Sequence, residues 1–468
     1  MRSFNFTGLC RILIFVFIFS ACSDENPTSP EEVEEPDEEQ IDEADAAAIS
    51  INTAQTHQTM IGFGGAMTWD SSVLTNSSKK NEIMEKIVDD LGVDMVRLKN
   101  WYYPAGYPEN KVPDEMEVDW FKGNFDATNE IFDILKSRNP DIKVLFSSWG
   151  PPSALKSNDH LNSGTLKKKN GQFIYDEYVT YWQDVMDHIT FIPDYVSIQN
   201  EPTFEATWES CKFLQTETAD FPSYEKAFNM VAEVIENLSN PPVMIGPESP
   251  NLNYWDFELF AEELKDNPKL GMYAYHPYSF GSDNTSIADM QQVLTEMSQK
   301  YNNKPNIMSE FDGFGWMKTA QFINSTLREG NSSAYLYWKL IWDESVNDAM
   351  IRINRNNGNY TLTEFYFLMK HYAKFVDEGY VRVGLSSANS SLDQVAFLSP
   401  GGNELTVISV NPTESDVHVK FQIGGNTLTP GNAYQSLETQ PYLQINQNNH
   451  TVLTLKGLSV TTTVLSIN

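Results

Sequence analysis

Cysteine is almost missing from this chain of 468 residues, which has only Cys10, Cys22 and Cys211. The first two lie in an N-terminal leader. The body of the chain therefore holds one, which rules out an internal disulfide and a cysteine-based metal site. Stability has to come from packing, and 41% hydrophobic residues allow a proper core. Basic residues are scarce as well: 32 Lys and Arg stand against 64 Asp and Glu, for a formal net charge of −32. So acidic a surface argues against nucleic acid and anionic lipid headgroups as partners and fits a secreted protein kept soluble by repulsion. No HExxH, aspartate ladder or Cys/His set occurs, so no catalytic metal or other cofactor is expected. The Gly-x-Ser-x-Gly turn that presents a serine nucleophile is missing too.

What is present begins with an export pattern. Arg2 and Arg11 accompany an apolar run from Ile12 to Phe19 that is too short to span a bilayer permanently. Phe19-Ser20-Ala21-Cys22 resembles the lipobox of bacterial lipoproteins, in which the cysteine is acylated; plain signal-peptide cleavage is the alternative. Ser23-Asp24-Glu25 resembles the acidic export tag of surface lipoproteins in Bacteroidetes-type cells. Residues 1–22 are thus expected to be a lipoprotein signal peptide with lipid attachment at Cys22. Residues 23–46 are expected to be an extended acidic linker: Asp24 to Asp45 carry twelve acidic side chains and no basic one. The expected location is the outer membrane or cell surface of a Gram-negative bacterium. The expected state is a monomer touching the membrane only through its lipid.

After the linker, short apolar runs alternate with amphipathic helical patterns. The strand candidates are Ile61–Met67, Met95–Asn100, Lys143–Gly150, Tyr195–Glu201, Pro242–Glu248, Gly271–Tyr278, Asn306–Phe311 and Ser333–Leu340. Helical spacing is clearest in Lys80–Leu91, Tyr224–Leu238, Ile287–Tyr301, Thr319–Arg328 and Thr363–Val376. Strands apolar throughout suit a parallel sheet covered on both faces. Eight such units predict an α/β fold, a (β/α)8 TIM barrel over residues 61–378. From Val381 onward, β-branched and alternating runs between Gly, Pro and Asn turns predict a β-sandwich over 379–468. The strand-like residues 47–60 are expected to join that sandwich.

Chemistry in such a barrel sits at the C-terminal ends of its strands. Two glutamates fall there: Glu201, in Ser197-Ile198-Gln199-Asn200-Glu201-Pro202, ends strand four, and Glu310, in Ser309-Glu310-Phe311, ends strand seven. Two carboxylates facing one cleft are what retaining sugar-bond hydrolysis requires, one as acid/base and one as nucleophile. Pro202 is expected to hold Glu201 in an extended conformation. Asn200 is placed to bind a sugar hydroxyl beside the scissile bond. Trp69, Trp149 and Trp338 are candidate sugar platforms, with core packing the alternative. His276 is a candidate to orient Glu310 or bind a hydroxyl, a structural histidine being the alternative; Tyr275 and Tyr278 are candidates to donate to the nucleophile or to stack on sugar, Tyr278 foremost as a substrate-binding residue. Arg97 is a candidate charge partner for a catalytic glutamate, or a structural ion pair.

At these residues the chain resembles glycoside hydrolase family 30. The segments that carry the resemblance are Ile61-Gly62-Phe63-Gly64-Gly65-Ala66, Ser148-Trp149-Gly150-Pro151-Pro152, Ile198-Gln199-Asn200-Glu201-Pro202, His276-Pro277-Tyr278, Ser309-Glu310-Phe311, Tyr337-Trp338 and Gly379-Tyr380-Val381-Arg382. The resemblance implies a (β/α)8 barrel fused to a β-sandwich and retaining β-glycosidase chemistry, with Glu201 as acid/base and Glu310 as nucleophile. The xylanase and glucuronoxylanase branch looks most similar, so the expected substrate is a plant or algal polysaccharide, foremost β-1,4-xylan cut by endo action. The glucuronate-reading members carry an Arg-rich stretch after the eighth strand, where this chain reads Leu340-Ile341-Trp342-Asp343-Glu344-Ser345. Alternatives are another β-glycoside (β-1,6-glucan, β-1,6-galactan or a glucosylceramide-like lipid) and a non-catalytic surface protein that only binds glycan.

Overall fold

The computed structural model describes residues 43–104, 118–281, 284–445 and 450–467. The leader, Cys22 and all but the last four residues of the acidic linker lie outside the described residues. Eight strands, β1 (Gly62–Met67), β2 (Met95–Lys99), β3 (Lys143–Ser147), β4 (Tyr195–Ser197), β5 (Val243–Ser249), β6 (Met272–Tyr275), β7 (Asn306–Phe311) and β8 (Ala334–Tyr337), close into a barrel. Neighbours pair in parallel in chain order, and β8 returns to β1 with Ala334 opposite Gly62. Most are shorter at the C-terminal end than the sequence suggests; β4 stops at Ser197, four residues before Glu201.

Burial on both faces explains why these segments read as unbroken apolar runs. Met95, Leu145, Ile245, Met272, Ile307 and Leu336 plug the barrel interior, while Val96, Leu98, Val144 and Phe146 pack outward into the core shared with the helices. Side chains two apart share a face of a strand. On β2 the inward series Met95, Arg97, Lys99 therefore turns from apolar to cationic as it climbs toward the mouth, and all three are fully buried. Gly64 allows β1 to lie against β2, because a Cβ there would stand 1.7 Å from the carbonyl oxygen of Met95.

The helix Tyr224–Ile235 illustrates the outer layer. Ser223 caps it by accepting the backbone N–H of Lys226 at 3.1 Å, and Tyr224, Ala227, Phe228, Val231, Ala232 and Ile235 form its buried stripe. Helices at Val118–Arg138, Tyr175–His188 and Phe257–Leu264 add to those read from spacing.

The C-terminal strands form a ten-stranded sheet that wraps around its own core of Ile49, Ile51, Val383, Leu405, Phe421, Leu453 and Leu465, a β-sandwich beside the barrel. The strand Ala47–Thr59 is built into it, antiparallel to Val381–Ser387 and parallel to Val417–Ile423. His371, on the last barrel helix, joins the two bodies: Nδ1 lies 2.9 Å from Thr462 Oγ1 and Nε2 lies 2.7 Å from Ser436 Oγ.

Candidate active site

Two departures from regular pairing aim carboxylates into the barrel mouth. Between β7 and β8, Met308 faces Tyr335 but Phe311 faces Tyr337, so β7 carries one extra residue across Ser309–Glu310. Between β5 and β6, Pro247 faces Ala274 but Ser249 faces Tyr275, which leaves Glu248 as the extra residue, at φ +52°. A bulge of this kind re-aims a side chain. Ile307 already points inward, so regular alternation would have sent Glu310 outward.

Glu201 corrects an expectation. It is not extended before Pro202 but sits at φ +47°, in the left-handed region, with its N–H donating to the Glu248 carbonyl at 3.0 Å. A proline disfavours the right-handed helical region for the residue before it and leaves other bends open. The bend brings the Glu201 carboxyl back over the mouth, at the expense of a backbone conformation that glutamate rarely adopts.

Arg97 stands under both glutamate bulges. It donates to Glu310, to Asn200 Oδ1 at 2.6 Å and to Ser147 Oγ at 3.1 Å, and its Nη2 lies 3.0 Å from Glu248. Its guanidinium stacks 4.6 Å from the centre of Trp149. Tyr278 donates to the other oxygen of Glu310 at 3.0 Å. His276 Nδ1 is 3.1 Å from Glu201 and 3.9 Å from Glu310.

These contacts divide the protons. Burial pushes the Glu201 carboxyl up from the ordinary value, and the nearby charge of Glu310 adds to that, against the hydrogen bond from His276. Burial opposes charge on His276, but Glu310, then Glu201 and Glu248, outweigh it and raise the imidazole to about 9. Glu248 goes the other way: burial would raise it, yet Arg97 and His276 hold it at about 2. Glu201, His276 and Glu310 each offer an atom within 4.8 Å of the others, a spacing also open to a metal ion. Arg97 and a protonated His276, whose ring then has no free lone pair, already supply the positive charge, so the arrangement suits acid–base work better than cation binding.

Above the carboxylates lies a cleft of about 600 Å³. Glu201, Glu310, Asn200, Tyr278, Trp69, Trp149 and Trp338 all line it. Trp149 lies 6.0 Å from Trp69 and 6.1 Å from Trp338, which lies 6.0 Å from Trp342. His276, a candidate to bind a hydroxyl or to orient Glu310, is fully buried behind the carboxylates and hydrogen-bonds Glu201. Tyr275 is not part of the site; it bonds Ser332 at 2.8 Å behind the barrel wall. Arg355, which follows the eighth strand, is engaged by Asp70 at 2.6 Å and Asp343 at 2.5 Å.

Sequence reasoning gave three partners no role. Glu248 stood at a strand end but had no motif of its own. Lys99 is buried under the aromatic floor, 3.4 Å from the centre of Trp101 and 5.0 Å from that of Trp69, with Glu209 2.7 Å from its ammonium. Trp208, beside Glu209, lines the cleft with Phe204. The Trp-Glu pair in the loop after β4 was the only available signal for these last groups.

A parallel eight-stranded barrel with two glutamates this close in an aromatic cleft is the arrangement of a glycoside hydrolase. No family model matches the chain. It is 21% identical over 445 residues to glucuronoxylanase XynC of Bacillus subtilis, covering 90% of this chain and 92% of that protein. It is 22% identical over 441 residues to endo-1,6-beta-D-glucanase neg1 of Aspergillus fumigatus, covering 82% and 84%. In fold it is similar to the glycoside hydrolase family 30 subfamily 8 xylanase Xyn30A of Clostridium acetobutylicum, with a TM-score of 0.65 and 20% identity over 90% of this chain and 100% of that one. The relatives it matches are glycoside hydrolases, and its fold is that of the family 30 xylanases.

Proposed function

We propose that this protein is a retaining endo-β-glycanase that cleaves β-1,4-xylan by double displacement, with Glu310 as nucleophile and Glu201 as acid/base. The observation that carries the reading is the approach of the two carboxylates, whose offered oxygens lie within 4.8 Å. Retaining pairs stand about 5–5.5 Å apart, whereas inverting pairs stand about 6.5–9.5 Å apart to admit a water. Glu310 attacks the anomeric carbon as the glycosidic C–O bond breaks, and Glu201 gives its proton to the departing oxygen. Water then attacks the glycosyl ester, returns a proton to Glu201 and frees Glu310. Asn200, fixed by Arg97, is placed to bind the hydroxyl beside the reacting carbon as positive charge develops there.

Xylan is favoured because the chain spans nearly all of a glucuronoxylanase relative. Engagement of Arg355 by two aspartates argues for neutral stretches of the polymer over acidic branches. Similarity to an endo-1,6-beta-D-glucanase supports β-1,6-glucan as the second reading. The leader and Cys22 support display of the enzyme as a surface lipoprotein, holding the barrel near polysaccharide outside the cell. Proton NMR of the earliest products from xylan tests the mechanism. The β-anomer is expected first, and Glu310→Gln is expected to abolish its appearance. Initial release of the α-anomer overturns double displacement, and digestion of β-1,6-glucan but not xylan selects the second reading.

A further inference from the structure

The loops after β4 and β5 expose an unusual group of aromatic side chains: Phe204 at 40%, Trp208 at 44%, Tyr254 at 46% and Trp255 at 83%. Apolar rings left to solvent in one neighbourhood mark a binding surface. Phe204 and Trp208 lie 5.7 Å apart and belong to the cleft wall, as do Pro250 and Asn251, which open the loop that carries Tyr254 and Trp255. Asp256 ties the two loops together, accepting from Thr203 at 3.0 Å and from Asn251 at 3.0 Å. The tie falls next to Phe204 on one loop and next to Trp255 on the other.

Barrel order says which part of a glycan this surface meets. Between β4, which leads into Glu201, and β7, which carries Glu310, one arc consists of β8, β1, β2 and β3 and the other of β5 and β6. Trp338, Trp342, Trp69 and Trp149 follow strands of the first arc. The sugar attacked by Glu310 also belongs there: Arg97 on β2 tethers both Glu310 and Asn200 and packs on Trp149. Tyr254 and Trp255 follow a strand of the second arc, beyond the proton donor.

We infer that the loops after β4 and β5 form a second glycan-binding surface, which holds the leaving-group side of the polysaccharide by stacking sugars on Trp255 and Tyr254 in continuation of Phe204 and Trp208. The inference rests on the proposed endo-glycanase reading. Its occupant is the substrate chain itself, because the surface runs on from the cleft wall. A sugar face stacked on each ring would make affinity depend on chain length beyond the scissile bond.

The test compares the parent with Trp255→Ala and with Tyr254→Ala/Trp255→Ala on xylan and on 4-nitrophenyl β-xylobioside, whose nitrophenol leaving group does not extend along the second arc. Both rings are exposed, so the variants are expected to fold; near-ultraviolet circular dichroism and the melting temperature check this. The ratio of kcat/KM on xylan to that on the aryl glycoside is expected to fall about five- to tenfold in the double variant, mainly through KM. Retained binding of Glu310→Gln to insoluble xylan, weakened by adding Trp255→Ala, is the matching equilibrium result. An active parent with an unchanged ratio overturns this surface and leaves the hydrolase standing. A parent that cleaves neither xylan nor β-1,6-glucan overturns the functional reading, and this surface with it.

Discussion

Replacing Arg97 with methionine separates what this residue does for folding from what it does for chemistry. The guanidinium is fully buried and lies 3.0 Å from Glu248 while it also holds Glu310. At 3.0 Å and an effective dielectric of about 20, one such pair is worth roughly 5 kcal/mol, much of it offset by desolvation. Removing one partner of a buried pair nonetheless costs about 3–5 kcal/mol, because the orphaned charge stays behind. For a folded chain of this size the melting temperature should drop by about 5 °C. Adding Glu248→Gln removes one orphan and should recover part of that loss. Activity should not follow, since Glu310 and Asn200 still lack their common tether; loss of one preorganised donor predicts about a 10²–10³-fold fall in kcat. The pH dependence supplies a further check. With Glu248 held at about 2 in the folded protein against 4.5 unfolded, its contribution is present above pH 4.5 and fades as pH falls toward 2. Arg97→Met should remove that acid-side slope. Calorimetry between pH 2 and 7, with kcat on an aryl glycoside, tests all three statements. An Arg97→Met protein that melts within about 2 °C of the parent and keeps kcat within threefold would refute the electrostatic account.

Two other outcomes are expected. Glu201→Ala should slow xylan cleavage by about 10²–10⁴-fold but slow formation of the glycosyl-enzyme from a dinitrophenyl glycoside far less, since that leaving group needs no proton; equal losses would contradict the acid role. His371 is held neutral by burial, with Lys370 adding to the effect, and its imidazole is lowered to about 3 from 6.5. The unfolded chain then binds the proton first, so this residue's contribution is intact above pH 6.5 and declines as pH falls toward 3. His371→Gln should flatten stability across that window in urea titrations, and an unchanged slope would show that another group carries it.

The strands were legible because a parallel barrel buries both faces of each one and leaves an apolar run that ends abruptly. Glu201 and Glu310 stood out for the same reason, as acids at such endings. Other features depend on register. The bulges at Glu248 and Glu310 appear only when β5 and β7 are laid beside their neighbours, and the left-handed bend at Glu201 runs against what Pro202 suggests. Lys99 reads as an ordinary strand-end lysine until Glu209, 110 residues away, is brought against it. The small sheet of Ile341–Asp343, Ile351–Ile353 and Tyr360–Leu362 is too short to leave a pattern. Pro430–Leu437 is a strand whose opening Pro430-Gly431-Asn432 looks like a turn. Sequence pattern thus reported burial well and missed contacts between distant segments.

The site's charges explain why the two glutamates divide the work as proposed. Glu201, Glu248 and Glu310 converge on Arg97 and His276, three potential anions against two cations, so one proton brings the cluster to neutrality. Glu248 is the worst candidate to carry it, with no exposed side-chain surface and Arg97 beside it. Glu310 already accepts hydrogen bonds from both Arg97 and Tyr278. Glu201 keeps only His276 and has the most exposed side chain of the three, at 11% against 6% and 0%. The proton therefore belongs on Glu201, at the edge where a glycosidic oxygen can reach it. Once Glu310 is bound to sugar as a neutral ester, its charge no longer lifts the Glu201 carboxyl, while the His276 bond still lowers it. Glu201 is then held ionised, and so available as the base, just when a water has to be deprotonated, so the change of role follows from the first step without any rearrangement of the protein.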